Sequence, residues 1–148
     1  MDTPSALLEF MRNNLRHGGD NYDEIHYGGN TYATAQEVYA NGEDDCDGLA
    51  EFGACVLSKH GIEAYNVGIS INSPFGHNVT GFVDPGDGKM YAINNGQEQV
   101  GPFNSWVGLA QYFIDRKYAD PDKVIWLFYP CISQTTKDIE KLPHKVIR

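Results

Sequence analysis

Between Pro4 and Arg16 the apolar residues Leu7, Leu8, Met11 and Leu15 recur at helical spacing behind Thr3 and Pro4, and Gly18-Gly19 follows. This predicts an amphipathic packing helix, capped by Thr3 and stopped by the glycines. Residues 20–31 are rich in Gly, Asn and Tyr without a period, which predicts a loop that could overhang a cleft. Thr34-Ala35-Gln36-Glu37 has the spacing of a capping box, and Asn41-Gly42 closes the short helix it opens. From Cys46 to His60 the small or apolar residues Cys46, Leu49, Ala50, Gly53 and Leu57 again recur at helical spacing, with Gly61 as the stop. That segment is the expected central helix.

The period then changes from helical to alternating. Tyr65, Val67, Ile69 and Ile71 alternate with smaller or polar residues up to a Ser73-Pro74-Phe75-Gly76 turn. A second strand starts at His77, with Val79, Gly81 and Val83 on its face, and a third runs from Lys89 to Ile93 after the turn Asp84-Pro85-Gly86-Asp87-Gly88. Trp106, Leu109, Ala110 and Phe113 mark a further helix that opens at Asn104 or Ser105 and ends at Lys117. The apolar run Val124 to Tyr129 stops at Pro130 and reads as a strand in mid-sheet, covered on both faces. Residues Gln134 to Arg148 read as a short helix and a tail. Helices before and around an antiparallel sheet make one α+β domain over residues 1–148, with N-terminal helices and a central Cys-bearing helix packed on the sheet.

Composition narrows the function. A hydrophobic content of 41% with 12% aromatics is enough for a real core. The formal charge of −9 and the lack of a basic cluster exclude a nucleic-acid partner and leave peptide, small-molecule or basic protein substrates. No apolar stretch approaches the roughly 20 residues that span a bilayer, and the first residues lack a secretion signal's basic-then-apolar order, so a soluble protein, cytoplasmic as synthesised, is expected. Export by lysis or a secretion system stays open. Three cysteines, Cys46, Cys55 and Cys131, lack CxxC spacing and argue against a disulfide framework and a zinc site.

Candidate chemistry centres on Cys46, where the polar run Gly42 to Asp45 turns into the central helix. The first N–H groups of a helix are unpaired and carry the positive end of its dipole, which biases a thiol there toward the nucleophilic thiolate. His77 and then Asn94 follow in the order of a thiol hydrolase. His77 would take or hold the thiol proton, and an amide oxygen from Asn94 would set the imidazole tautomer. The Cys46 N–H, with a side-chain donor from Gln36, Tyr27 or Tyr32, would bind the oxyanion. Asn94-Asn95-Gly96 is also ordinary turn chemistry, and Asn95 could equally orient the imidazole. Cys55 and Cys131 read as packing residues, and His60 as a dipole-complementary charge in the last turn of its helix.

The ordered set Ala33 to Ala50, Gly61-Ile62-Glu63-Ala64, His77-Asn78-Val79 and Tyr91 to Asn95 resembles the core of the transglutaminase-like cysteine proteinase family, over about residues 33–95. The resemblance implies a papain-like α+β fold in which a Cys opens the central helix, a His stands on a following strand and an Asp ends the next. Carried over, these are Cys46, His77 and Asn94, with Asn in place of the usual Asp. Asp45-Cys46-Asp47-Gly48-Leu49 and Gly76-His77-Asn78-Val79 are also similar to strings of NlpC-type cell-wall peptidases. The 31-residue step from 46 to 77 fits the transglutaminase-like spacing better. Both resemblances imply a thiol enzyme acting on amide bonds through an acyl-enzyme, without metal or organic cofactor. Cell-wall peptide is the first substrate to try, with acyl transfer or deamidation on the same thiol, or a non-catalytic binding module of the same fold, as alternatives.

The acidic run Glu43, Asp44, Asp45 and Asp47 complements the helix dipole. As a calcium loop it fails, because the closing acidic position falls at Ala54. The same carboxylates oppose a thiolate by like-charge repulsion, and lining a cleft they would favour amine-bearing substrates.

Overall fold

Leu7, Leu8 and Met11 are buried along one side of helix α1 (Pro4–Asn14), whose N-cap Thr3 accepts from the Ala6 N–H at 3.1 Å. The computed structural model describes residues 2–18, 33–70, 76–128 and 144–148. The helix stops before the glycines expected to end it. Leu15 caps it, and the chain becomes extended as β1 (Arg16–His17), which pairs in parallel with β2 (Glu43–Asp44). Arg16 N–H donates to Gly42 O at 2.9 Å, Gly18 N–H to Asp44 O at 2.8 Å, and the Arg16 guanidinium lies 2.7 Å from Glu43. These bonds end the helix early and hold the segment that leads into Cys46.

Between β1 and β2 lies α2 (Ala35–Asn41), opened by the expected capping box of Thr34 and Glu37 and closed by Gly42 at φ +72°, a left-handed backbone that suits glycine. The central helix α3 runs Cys46–Lys59, with Asp45 as N-cap and His60 as C-cap. Sequence and structure agree here because the capping residues and the apolar period point the same way.

Among the described residues six strands form one antiparallel sheet in the order β6-β5-β4-β3-β7-β8: β3 (Ala64–Ile69), β4 (His77–Val83), β5 (Met90–Asn94), β6 (Glu98–Phe103), β7 (Ile125–Phe128) and β8 (His144–Ile147). β7 sits inside the sheet between β3 and β8, as its apolar run requires. β8 replaces the tail expected at the C-terminus, and the helix expected before it falls on residues outside those described. In the turn between β4 and β5 the Tyr91 hydroxyl donates to Asp87 at 2.5 Å, which lowers the Asp87 pKa and raises that of Tyr91. Helix α4 spans Trp106–Asp115 behind the N-cap Ser105, whose Oγ accepts from the Gly108 N–H at 3.0 Å.

The sheet separates two apolar layers. Ala64, Phe82 and Ile93 pack toward α1, α2 and α3, whereas Val67, Ile69, Val79 and Ala92 pack toward Leu109, Ala110 and Phe113 of α4. α3 lies close on β4 because Gly53 has no side chain: a Cβ there would sit 2.2 Å from Thr80 Oγ1, which itself donates to Ala50 O at 3.0 Å. Gly53→Ala is therefore expected to cost about 1–3 kcal/mol by overpacking this seam. Urea denaturation should show a lowered midpoint at unchanged slope, and an unchanged midpoint would contradict the close approach.

Candidate active site

Cys46 is the first residue of α3 and is half-buried. Its position is built from both sides. Upstream, Asp44 Oδ1 accepts from the Asp45 N–H at 2.7 Å and Asp45 Oδ1 from the Gly48 N–H at 3.3 Å, so two carboxylates serve the backbone donors of the turn and the helix start. Gly48 leaves room for this, since a Cβ there would fall 2.3 Å from the Asp44 carboxyl. From the sheet, Asn78 Nδ2 donates to Asn66 Oδ1 at 2.9 Å and Asn66 Nδ2 donates to the Asp47 carbonyl at 3.2 Å. Both amides are buried, and together they join β4 and β3 to the first turn of α3. Sequence reasoning missed this polar strut, although Asn66 and Asn78 are the kind of buried polar residue that must find partners.

His77 opens β4 and is 6% exposed. Its Nε2 lies 2.6 Å from Oδ1 of Asn94, the last residue of β5, which is itself 2% exposed. The ring stacks on Tyr118 at 4.8 Å between centroids and lies 5.7 Å from Phe113. Asn94 Nδ2 in turn donates to Glu98 Oε1 at 3.1 Å, across the turn into β6. Asn94 and Asn95 thus part ways. Asn95 and Gly96 take left-handed backbones, φ +53° and +67°, as the centre of a tight hairpin turn in which the Gln97 N–H donates to Asn94 O at 2.9 Å. The expected turn chemistry and the expected His77 contact are both present, on neighbouring residues.

The helix that carries Cys46 and the side chain of His77 lie on different sides of the sheet. β4 alternates: Thr80 meets α3, whereas His77 packs with Val79 toward the α4 layer. α3 runs antiparallel to β3, so Cys46 lies toward the end of the sheet at which β4 begins with His77. The imidazole therefore stands on the face opposite α3, not in the helix–sheet seam expected from the sequence. The α4 layer determines this, because Phe113 and Tyr118 hold the imidazole on their side.

The other expected residues divide. Gln36 lines a groove of about 220 Å³ with Tyr39, Phe52, Cys55 and Lys59. Cys55 is nine residues along α3 from Cys46, a rise of about 14 Å, so this groove belongs to the middle of the helix and not to its N-terminus. Its size also falls below the roughly 300–1,000 Å³ of ordinary ligand pockets. Tyr27, Tyr32 and Cys131 lie outside the described residues. Cys55 is disulfide-bonded, which corrects the expectation drawn against disulfides and leaves Cys46 as the cysteine outside a disulfide among the described residues.

Among the described residues, one cluster has the composition of a cation site: Asp44, Asp45 and Asp47 bring one carboxylate oxygen each within 4.8 Å of one another. All three belong to the acidic run that fails as a calcium loop. No described helix is long and apolar enough to cross a membrane. No protein-family model matches the chain, and no curated protein matches it.

Proposed function

We propose that the chain is a thiol-dependent amide hydrolase of papain-like, transglutaminase-like design, with Cys46 as nucleophile, His77 as general base and Asn94 as the residue that orients it. The observation that carries this reading is the buried 2.6 Å hydrogen bond between His77 and Asn94, at the end of the sheet toward which the N-terminus of α3 is directed. Few structural roles require a buried imidazole held by an amide, whereas a base that must present one particular nitrogen does. In the reaction His77 Nδ1 takes the thiol proton, the thiolate attacks the scissile carbonyl, and the imidazolium returns the proton to the leaving amine. Water then releases the acyl group from sulfur. The Cys46 N–H at the helix start is the oxyanion donor the chain itself supplies.

Peptides are the proposed substrates, cell-wall peptides first. The carboxylates of Asp44, Asp45 and Asp47 beside the nucleophile favour a substrate bearing amines. The disulfide at Cys55 fits action in an oxidising place and thus export after synthesis. Acid-quenched mass spectrometry after mixing with cell-wall peptides should find an acyl group on Cys46, and added amine should divert it to an amide if transfer competes with hydrolysis. Turnover that persists in Cys46→Ser without an adduct would overturn the assignment.

A second reading, a non-catalytic binding module that keeps the fold, is favoured by one observation: His77 and the body of α3 lie on opposite faces of the sheet. Its signature is a Cys46 thiol no more reactive than an ordinary one at neutral pH.

A further inference from the structure

We infer that Glu98 is a positioning residue, which selects the face that Asn94 turns to His77 and thereby the tautomer of the imidazole; this rests on the hydrolase reading for its purpose but not for its test. The deciding feature is the three-residue line His77–Asn94–Glu98, with spacings of 2.6 and 3.1 Å.

An asparagine amide has an oxygen that only accepts and a nitrogen that only donates, and by itself it can face a histidine either way. The two orientations have opposite consequences. With Oδ1 toward the ring, His77 Nε2 must carry the proton, and Nδ1 is the basic nitrogen. With Nδ2 toward the ring, Nε2 becomes the acceptor and the proton moves to Nδ1, which then cannot take a proton from a thiol. A carboxylate accepts only, so Glu98 fixes the choice: it binds the amide nitrogen, and the oxygen is left for His77.

The backbone makes the contact specific. Asn94 and Glu98 are register partners across the β5–β6 hairpin, so the left-handed turn at Asn95 and Gly96 brings the carboxylate against the amide. Glu98 is exposed on an edge strand, and its side chain is not part of the apolar core. The same contact accounts for an amide at position 94: an aspartate there would place two carboxylates at hydrogen-bond distance, where like charges oppose each other.

The test reverses the polarity of the partner. Glu98→Lys replaces an acceptor by a donor and should turn the Asn94 oxygen outward. Long-range 1H–15N NMR of the imidazole at a pH where His77 is neutral should find Nε2 protonated in the native protein and Nδ1 protonated in Glu98→Lys, with both forms in Glu98→Gln. Alkylation of Cys46 should fall by at least about tenfold in Glu98→Lys, since a wrong tautomer in a related triad costs several powers of ten. In the double variant Asn94→Asp with Glu98→Lys both atoms at position 94 are oxygens, so protonation should return to Nε2 and alkylation should recover. A merely structural role for Glu98 predicts no such recovery. An unchanged tautomer in Glu98→Lys would overturn the proposal whatever the activity of the protein. Conversely, a tautomer switch in a protein whose Cys46 is unreactive would uphold Glu98 and sink the hydrolase reading alone.

Discussion

Replacing His77 by Ala is expected to lower turnover of a cell-wall peptide by about 10²–10⁴-fold, the usual contribution of a positioned general base, with a smaller effect on the half-saturating substrate concentration. The proton of Cys46 then has no acceptor except water, and the leaving amine has no donor. Because His77 is buried against Phe113 and Tyr118, its removal also opens space, so the fold of the variant must be verified by its denaturation midpoint. A loss of rate in a folded variant supports the general-base role. Equal rates in the native and variant proteins would favour the binding module, and would leave the His77–Asn94 hydrogen bond as a device that joins β4 to β5.

The largest stability effect is expected at Phe113. This side chain is fully buried in the α4 layer and meets the rings of His77, Tyr112 and Tyr118 at 5.7, 5.1 and 5.8 Å. Phe113→Ala should cost about 3–5 kcal/mol, from lost transfer energy and from the cavity left beside a sheet that cannot collapse into it. Against a total of roughly 5–15 kcal/mol this brings the domain near the limit of folding. Tyr118, 39% exposed, stacks on the imidazole next to Phe113, and its replacement by Ala should cost less than that of Phe113. Guanidinium denaturation of the two variants tests the order. A Phe113→Ala protein as stable as Tyr118→Ala would mean that α4 does not pack on the sheet as described.

The elements legible in the sequence are those whose local signals agree. α1 and α3 carry caps and an apolar stripe, β3 and β4 alternate, and the uniformly apolar Ile125 to Phe128 belongs inside the sheet, where it is found. The edge strands were not legible. β6 reads Glu-Gln-Val-Gly-Pro-Phe, in which polar residues, a glycine and a proline look like loop, and an edge strand tolerates all of them because one side needs no partner. β8 and the two-residue ladder of β1 and β2 are fixed by partners distant in the chain, which no local pattern records.

The candidate site was legible to the same degree. Cys46 at a helix start, His77 at a strand start and Asn94 at a strand end follow from period and capping. Which helix each face of β4 would meet does not: alternation groups His77 with Val79 but cannot say that this group faces α4. Glu98 escaped notice for a related reason, because its approach to Asn94 exists only once residues 98–103 are a strand.

The pH dependence of Cys46 alkylation, compared between the native protein and His77→Ala, tests most directly whether the thiol is activated by that imidazole. With a small alkylating reagent and peptide mapping to Cys46, the native rate should stay near its plateau well below the ordinary thiol pKa of about 8.5, and the variant should follow the profile of a simple thiol. Coincident profiles, both rising only near the ordinary thiol range, would contradict the proposed nucleophile and base.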